Sequence, residues 1–410
     1  MARNEYHVEI QTADEADAGT NADISVQFFT KNGFSTKTQL LDQTGHDDFE
    51  RNSNDLYSFQ DVGLPTGDEL VSVTITHSGT NAWKMAWLKV SIGGQTWKAV
   101  SDKWFRNETR NLRLVPAVGR PNWMSTLSKS TTIDQINIPG THDSGTGYLK
   151  SSNYHNTQAL SIKQQLLLGI RYFDMRLRCL VNPSWIDSQP PADNANFTVH
   201  HENDWCYLYL DKNSWIAPED QKTVKGFVLD DFLTFLDEYQ SEFVLMQVQR
   251  EYNTEPGFND VFQELIARHD PSKFLITNTY PTYDDAKGKI VILNMNDALT
   301  NYGIPLQGPK LLNTPTLYIE NHWMDSNKEL KWGKVETALK VALQQNSGQW
   351  VITFVSDGSG AMHPRDFAGY LNQWVEDFIK NNGDHQHYGT VLVDFPTRSL
   401  VGTLLAKYLQ

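Results

Sequence analysis

The chain has 410 residues, of which 39% are hydrophobic and 20% charged, and this length suits two domains of ordinary globular composition. Its net charge of -14 and pI of about 5.3 argue against non-specific nucleic-acid binding and against polybasic attraction to anionic membranes. No apolar run reaches the roughly 20 residues of a membrane-spanning helix. Cys179 and Cys206 are the only cysteines, and the sequence leaves open whether they form one disulfide or remain reduced core thiols.

The N-terminal part of the chain, residues 1–116, is predicted to be an all-β domain. Polar and apolar residues alternate along Glu5–Ile10, Ala22–Phe28 and Leu70–Ile75, as they do in half-buried strands. Clusters of Gly, Pro, Asp and Asn separate these segments, and short strands at such spacing are typical of a β-sandwich. Four Trp residues fall here, and each is predicted to be either a core residue or a surface anchor at an interface: Trp83, Trp87, Trp97 and Trp104.

Segments spread over nearly the whole N-terminal domain match one known family: Tyr6–Ile10, Ala18–Ile24, Phe49–Asp55, Ile75–Ser78, Trp83, Trp87 and Trp104–Phe105. Together they resemble the PLAT/LH2 domain, a β-sandwich of lipoxygenases and lipases. The resemblance implies a module that docks onto membranes or proteins. Some members hold calcium at a Gly-Thr-Asp loop, where this sequence has Asn21. Asp14, Asp17 and Asp68 remain, so the sequence leaves open whether this domain binds a structural calcium ion.

From residue 125 to residue 410 the pattern changes to alternating strands and helices. Eight segments are predicted to be strands: Ile133–Ile138, Tyr172–Leu177, Phe197–His201, Phe243–Arg250, Lys289–Asn294, Thr316–Glu320, Trp350–Ser356 and Gly389–Phe395. Amphipathic helices are predicted between several of them: Ser161–Leu168, Val228–Tyr239, Phe258–Arg268, Asn327–Gln344 and Pro364–Lys380. This alternation predicts a (β/α)8 TIM-type barrel, and the insertion Glu202–Val224 after the third strand predicts that the barrel is irregular.

Polar side chains accumulate where the predicted barrel strands end: His142, Asp143, Asp174, Arg176, His200, His201, Gln249, Glu251, Asn294, Glu320 and Asp394. Residues inside a barrel are normally apolar, and TIM barrels carry their active sites at the C-terminal ends of the strands. The accumulation therefore predicts an active site.

These residue types suit the cleavage of a phosphate ester by an internal hydroxyl. A neutral His takes the proton of the attacking hydroxyl, and a charged His gives a proton to the leaving oxygen. An Arg offers a permanently charged planar fork to the phosphate oxygens. Carboxylates behind the His residues fix the tautomer and raise basicity. Such a set needs no metal ion.

Motifs across residues 130–405 match one enzyme family: Ile138–Thr146, Tyr172–Arg176, Val199–His201, Gln247–Tyr252, Gly288–Leu293 and Val393–Pro396. They resemble the bacterial phosphatidylinositol-specific phospholipase C family, that is, the X-type catalytic domain. The segment Ile138–Thr146, which reads Ile-Pro-Gly-Thr-His-Asp-Ser-Gly-Thr, is the most specific of these motifs. The resemblance implies a TIM-type barrel.

The resemblance assigns the catalytic roles. His142 corresponds to the general base for the inositol 2-hydroxyl, and Asp394 to the carboxylate that orients it. Arg176 corresponds to the cation that binds the phosphate. His201 corresponds to the general acid for the diacylglycerol oxygen, with Asp143 as its paired carboxylate. Calcium-dependent members carry an acidic residue where Arg176 stands, so the resemblance implies a calcium-independent enzyme.

The resemblance also assigns the substrate-binding residues, where this sequence departs from the family. Asp174 is expected to contact the inositol. Gln249 stands where bacterial members have a lysine, and Asn294 is one of the polar residues near the place of an inositol-contacting arginine. Glu320 and His322 correspond to an aspartate and a stacking tyrosine. The inositol-binding face is therefore predicted to be remodelled.

A departure from the family sequence next to His201 keeps a second candidate for the general acid open. His200 is the fallback because Glu202 replaces the glycine that the family has after this His. Successive residues of a strand face opposite sides, so only one of His200 and His201 is expected to enter the active site.

The family resemblance implies metal-independent cleavage of phosphatidylinositol to diacylglycerol and inositol 1,2-cyclic phosphate, with no catalytic cofactor. Two alternatives stay open: a metal-dependent glycerophosphodiesterase or sphingomyelinase-D-like enzyme, against which Arg176 speaks, and a catalytically silent lipid- or protein-docking module. We expect a monomer that contacts membranes or micelles through aromatic residues and binds no nucleic acid. Met1–Val8 lacks a signal-peptide pattern, which leaves open a cytosolic protein or a secreted one given without its leader, and secretion is the expectation.

Overall fold

A computed structural model describes residues 4–30, 33–42, 47–61, 70–92, 95–101, 103–116, 122–149, 154–184, 192–251, 257–307, 310–344, 348–358, 362–383 and 385–408. The chain divides into two compact units, Met1–Val118 and Gly119–Gln410. Within the described ranges, no helix combines the length and apolar character that crossing a bilayer requires.

The first unit is built from antiparallel strands in two sheets. Its strands are β1 (Asn4–Thr12), β2 (Ile24–Thr30), β3 (Gln39–Leu41), β4 (Asn54–Asp61), β5 (Leu70–His77), β6 (Trp83–Ile92), β7 (Gln95–Val100), β8 (Trp104–Phe105), β9 (Glu108–Arg113) and β10 (Val115–Pro116). One sheet has the order β10-β7-β6-β1-β4, with β8 also paired to β6, and the other has the order β3-β2-β5-β9.

Alternate residues of these strands meet in one apolar core. Strand β2 alternates buried and partly buried positions along its whole length. Tyr6 from the first sheet packs edge-to-face on Phe28 from the second, at 5.9 Å between ring centroids. The four Trp residues differ in burial. Trp83 and Trp97 are buried in the core, whereas Trp87 is partly exposed and Trp104 is 36% exposed.

The second unit contains one large sheet. Its strands are β11 (Ile138–Thr141), β12 (Tyr172–Val181), β13 (Ala195–His201), β14 (Asp204–Tyr209), β15 (Gly226–Phe227), β16 (Val244–Arg250), β17 (Phe274–Leu275), β18 (Ile290–Met295), β19 (Ile304–Leu306), β20 (Leu311–Asn313), β21 (Leu317–Glu320), β22 (Trp350–Phe354) and β23 (Thr390–Val393). Eight of them pair in parallel in the order β19-β18-β16-β12-β11-β23-β22-β21. Within the described residues no ladder joins β19 to β21, so the series of parallel pairings ends at these two strands.

Helices follow several of the parallel strands. They are α1 (Ile162–Leu168), α2 (Val228–Glu238), α3 (Phe258–Ala267), α4 (Tyr283–Ala286), α5 (Lys328–Gln344), α6 (Pro364–Asn382) and α7 (Arg398–Leu405), with 3-10 turns at Trp123–Thr126, Ile133–Gln135, Ser144–Tyr148, Ala192–Asn194, Pro271–Lys273 and Ala406–Tyr408. All five predicted helices are confirmed to within two residues at each end. Local signals explain the ends: Ser161 and Gln164 form a capping box at the start of α1, and Gly169 ends it with a φ of 112°.

Two of the eight predicted barrel strands differ from the structure, one in its extent and one in its pairing. Ile133–Ile138 begins with a 3-10 turn, and the strand starts only at Ile138. Phe197–His201 forms β13, which is not a parallel barrel strand: it pairs antiparallel with β12 and with β14. The turn from β13 to β14 is too short for the crossover that a parallel pair needs, so these strands form a hairpin. The strand β19 was not predicted.

The two cysteines lie on strands that are not neighbours. Cys179 is on β12 and Cys206 on β14, and β13 lies between these strands in the sheet. Both are buried, and the structure has no disulfide between them. Of the two alternatives left open by the sequence, the structure contains the reduced one.

Candidate active site

One cavity of about 840 Å³ lies at the C-terminal ends of the parallel strands. Its lining includes five of the predicted site residues: His142, Arg176, His201, Gln249 and Asp394. These residues come from the ends of β11, β16 and β23, from the middle of β12 and from the hairpin strand β13. The topology therefore gathers into one place side chains that are far apart in the sequence.

A tight backbone path brings His142 to this cavity. A Cβ atom at Gly140 would lie 2.9 Å from side-chain atoms of both Tyr172 and Leu392, so a residue without a side chain is needed between the neighbouring strands. Asp143 has a φ of 44°, a left-handed conformation that Asp tolerates better than most residues. Its N–H donates to Asp174 Oδ2 at 3.1 Å, which fixes the turn. The turn places the His142 imidazole at the cavity and the Asp143 carboxylate beneath it.

The hydrogen bonds of His142 define its tautomer. Its Nδ1 lies 2.9 Å from Asp394 Oδ1, and its Nε2 lies 2.9 Å from Nη2 of Arg176. A guanidinium only donates, so Nε2 accepts and Nδ1 carries the proton that is donated to Asp394. The lone pair of Nε2 therefore faces the cation, where a phosphate oxygen or a hydroxyl would bind.

Arg176 is the central cation of the site. Its Nε lies 2.6 Å from Asp143 Oδ1, and its Nη2 lies 3.4 Å from Asp174 Oδ2. Asp143 and Asp174 are both almost completely buried, whereas the Arg176 side chain is 17% exposed and lines the cavity. Two buried carboxylates thus hold the guanidinium on its buried side, and the side that lines the cavity is open to a ligand.

Burial keeps both imidazoles of the site neutral. It holds the pKa of His142 well below its ordinary value, and the charge of Arg176 lowers it further. Burial, followed by the same Arg176 charge, lowers the pKa of His201 to about 4. Burial and then the neighbouring Asp143 charge raise the pKa of Asp394. The site before substrate binds therefore contains a neutral base, a neutral second imidazole and one fixed cation.

The structure separates the two adjacent histidines. His201 lines the cavity, its Nε2 lies 3.4 Å from Asp143 Oδ2, and its Nδ1 donates to the backbone oxygen of His155 at 2.8 Å. His200 is buried, and its Nε2 lies 3.0 Å from Thr198 Oγ1. The cavity lining does not include His200. The geometry therefore favours His201 as the group that meets a ligand.

Four of the predicted substrate-binding residues do not line the cavity. Asp174 is fully buried and supports Arg176 and the Asp143 turn. Asn294 is hydrogen-bonded through both ends of its amide to the backbone of Leu299, at 2.6 and 2.9 Å. Glu320 is buried, binds Lys331 through both carboxylate oxygens and accepts from the N–H of His322. Asp174, Asn294, Glu320 and His322 are thus absent from the cavity lining, and their contact with the substrate stays a prediction.

Other polar residues line the cavity, and the sequence assigned none of them a role there: His155, Thr157, Glu251, Asn296, Asp297, Asn321 and Asp357. Glu251 carried a signal, since it follows the end of β16 two residues after Gln249. His155 and Thr157 lie in a loop without a strand or motif, where no periodicity points to a role. Thr157 Oγ1 donates to the backbone oxygens of His142 and Asp143, at 3.2 and 3.3 Å.

One group of residues has the spacing of metal ligands. In the described part of the chain, His142, Asp143 and Asp174 are the one such group, with ligand atoms within 4.8 Å of one another. Arg176 contacts all three, so a metal ion there would meet the charge of the guanidinium. In the first unit Asp14 pairs with Arg51 at 2.7 Å, and Asp68 lies outside the described residues. The structural calcium ion stays a prediction.

Comparison with known proteins places both units in context. Residues 6–115 match the family model of the PLAT/LH2 domain. A curated protein named 1-phosphatidylinositol phosphodiesterase from Staphylococcus aureus (strain Newman) is 27% identical over 301 residues, which are 67% of this chain and 88% of that protein. One of the same name from Listeria monocytogenes is 25% identical over 305 residues, 70% of this chain and 85% of that protein.

Solved structures agree at the level of the fold. The phosphatidylinositol-specific phospholipase C from Listeria monocytogenes superposes with a TM-score of 0.55 at 23% identity, over 71% of this chain and 99% of that one. A mutant of the Staphylococcus aureus enzyme of the same name gives a TM-score of 0.56 at 23% identity, over 69% and 97%.

Proposed function

We propose that this chain is a phosphatidylinositol-specific phospholipase C that forms diacylglycerol and inositol 1,2-cyclic phosphate without a metal ion. The observation that carries the proposal is the placement of His142 between Asp394 and Arg176, with His201 at the same cavity. The similarity to two proteins named 1-phosphatidylinositol phosphodiesterase supports the substrate class. The series of eight parallel strands supports a second unit that is an irregular TIM-type barrel.

The proposed reaction begins with proton transfer to His142. Its Nε2 removes the proton of the inositol 2-hydroxyl, and the oxygen attacks the phosphorus. Arg176 binds the non-bridging oxygens and offsets the charge that develops on them. The bond from phosphorus to the diacylglycerol oxygen breaks, and His201 gives its Nε2 proton to that oxygen. The pair ends as charged His142 and neutral His201, with Asp394 stabilising the imidazolium.

The low pKa of His201 in the free site fits this scheme once substrate is bound. A general acid must be protonated, whereas burial and Arg176 lower the pKa of His201 to about 4 before substrate binds. A phosphodiester carries one negative charge and would lie between His201 and Arg176. An opposite charge at that distance raises the pKa of the imidazole. The substrate would thus produce the protonated form that its own cleavage needs.

Two alternative functions are less well supported. A metal-dependent glycerophosphodiesterase or sphingomyelinase-D-like enzyme needs carboxylates that converge on a cation. In this site Arg176 pairs with both Asp143 and Asp174, so a guanidinium stands where a metal ion would have to bind. A catalytically silent docking module would not need a base with a defined tautomer, a fixed cation and a second imidazole at one cavity.

The proposal predicts turnover of phosphatidylinositol in excess EDTA, with a cyclic phosphodiester as the first product. Phosphorus NMR of the full chain with phosphatidylinositol in mixed micelles distinguishes a cyclic phosphate from a phosphomonoester. Activity lost on chelation and regained with calcium or magnesium would favour the metal-dependent alternative. No product with or without metals would favour the docking module.

The first unit offers a surface for the lipid interface, which we include in the proposal. Residues 84–113 contain seven Lys or Arg and two Asp or Glu. Residues 1–83 contain four Lys or Arg and fourteen Asp or Glu. The exposed Trp104 lies within this basic segment, with Lys84 Nζ 5.7 Å from its ring centroid, and Lys89 Nζ lies 4.0 Å from the ring of Trp87. The aromatic rings suit insertion into a lipid interface, whereas Lys84 and Lys89 are paired with Glu15 and Glu9 and the whole chain is acidic. Secretion and the monomeric state stay predictions.

Trp104→Ala is expected to weaken binding to vesicles that contain phosphatidylinositol by about tenfold, because an indole that enters the interface contributes on the order of 1–2 kcal/mol. Turnover of soluble inositol 1,2-cyclic phosphate is expected to be unchanged. Vesicle sedimentation measures the first quantity, and Phe34→Ala is the matched control because Phe34 is an exposed aromatic on a connection of the other sheet. Equal losses in both variants, or an equal loss on the soluble substrate, would contradict a docking role.

A further inference from the structure

The loop residue His155 contacts His201 at the end of the hairpin strand β13, and it also contacts Glu202 and Asp204 just after that strand. His155 directly precedes a segment, Asn156–Gln158, that is hydrogen-bonded to the loop of the proposed general base. Gln158 Nε2 donates to the backbone oxygens of His142 and Val393, at 2.7 and 3.2 Å. The His155 backbone is therefore anchored to the part of the site that holds His142.

The backbone oxygen of His155 determines which nitrogen of His201 faces the cavity. It lies 2.8 Å from His201 Nδ1. A carbonyl oxygen only accepts, so Nδ1 of His201 must carry a proton. Nε2 is then the nitrogen that faces Asp143 and the cavity, and it is the nitrogen that gains and loses the second proton.

The ring of His155 contacts the turn that follows His201. Its Nδ1 lies 2.7 Å from Asp204 Oδ2, and its Nε2 lies 3.3 Å from Glu202 Oε2. Its ring centroid lies 5.1 Å from that of His201. The His155 ring thus lies between the carboxylates of Glu202 and Asp204, while its backbone oxygen accepts from the His201 ring.

The other side of the same turn is also held. Glu202 has a φ of 52°, in the left-handed region, and its N–H donates to Glu251 Oε1 at 2.8 Å. Glu251 is the residue after β16, at the cavity. The turn is thus fixed between His155 on one side and the end of a parallel strand on the other.

We propose that His155 is a positioning residue for His201: with Glu202 and Asp204 it forms a clamp that fixes the tautomer and direction of the His201 ring. The inference rests on the proposed function, because it treats His201 as the group that protonates the leaving oxygen. His155 itself transfers no proton to substrate. Its effect is to keep Nε2 of His201, rather than Nδ1, directed at the reacting oxygen.

The first test compares leaving groups. His155→Phe keeps a ring beside His201 but removes both contacts to carboxylates, and Asp204→Asn removes one of them. With phosphatidylinositol, whose alkoxide leaving group needs a proton, His155→Phe is expected to lower kcat by about 10- to 100-fold, part of the roughly 10²–10⁴ that a general acid supplies. With a nitrophenyl ester of inositol phosphate, which needs no acid, kcat is expected to change by less than about threefold. His201→Ala should show the same selectivity with a larger loss.

The second test reports the clamp without turnover. Nitrogen NMR of the ring of His201 in the full chain, assigned with His201→Ala, is expected to show the Nδ1–H tautomer in the parent and a mixture of tautomers in His155→Phe. His269→Phe is the matched control, because it removes a His–Asp pair, with Asp211 at 3.5 Å, that is not part of the cavity lining. The control is expected to leave both the leaving-group ratio and the His201 spectrum unchanged.

The outcomes separate the clamp from the proposed function. Equal losses on both esters, or an unchanged His201 tautomer in His155→Phe, would overturn the clamp. If the parent forms no cyclic phosphate, the proposed function fails, and the His201 spectrum alone still decides whether His155 sets the tautomer. Circular dichroism melts of each variant identify any loss that comes from unfolding, and Asp204→Asn then provides the same comparison with a smaller change in volume.

Discussion

Replacing His142 with alanine is expected to lower kcat on phosphatidylinositol by about 10³-fold or more, because the variant loses the group that activates the nucleophile. Among the described cavity-lining residues, His142 alone has an imidazole nitrogen whose lone pair faces Arg176. His201 cannot replace it, since its Nδ1 is directed to the oxygen of His155. Phosphorus NMR or release of radiolabelled inositol phosphates would measure the loss.

Two further variants make this prediction specific. Asp394→Asn keeps the shape of the partner of Nδ1 but removes the charge that stabilises the imidazolium, so a large loss is expected there too. His7→Ala serves as the control, because His7 contacts Ser58 in the first unit and takes no part in the cavity. Activity of His142→Ala within tenfold of the parent would rule out its role as the base.

Arg176→Met is expected to lower kcat/KM by about 10³-fold or more, since it removes the fixed charge and the donors that face the phosphate. The side chain of methionine fills a similar volume, so the change tests charge more than packing. Arg176→Lys keeps the charge but loses the planar fork, and a smaller loss is expected. Steady-state kinetics on soluble inositol 1,2-cyclic phosphate avoid effects of the lipid surface. A loss confined to KM, or a full recovery in Arg176→Lys, would contradict the proposed role.

The polar site residues of β11, β12 and β23 could be predicted from the sequence because each of them accompanies a short apolar segment. A motif such as Pro139–Asp143 fixes the strand, the tight glycine position and the two functional side chains together. In the structure His142 contacts both Asp394 and Arg176.

Predictions failed where contacts between distant segments decide where a side chain lies or how a strand pairs. Glu320 follows the same rule of strand ends as Asp394, yet it binds Lys331, a fully buried residue on α5. Nothing in the periodicity of α5 shows that one of its lysines points inward. In the same way, β13 has the composition of a buried parallel strand, and only the short turn after it makes it part of a hairpin. The contacts of His155 with His201, Glu202 and Asp204 join segments that are far apart in the sequence, which no periodicity reveals.

Among the strands that the structure describes, no ladder joins β19 to β21, and this matters for pairing between copies of the chain. A sheet that does not close leaves strand edges with unpaired N–H and C=O groups, and such edges recruit strands from other molecules. Here β21 is covered by the antiparallel β20. β19 is only three residues long, and its central residue is Pro305, which has no N–H to offer to an incoming strand. The sheet can therefore stay open at this point with little risk that two copies of the chain join edge to edge.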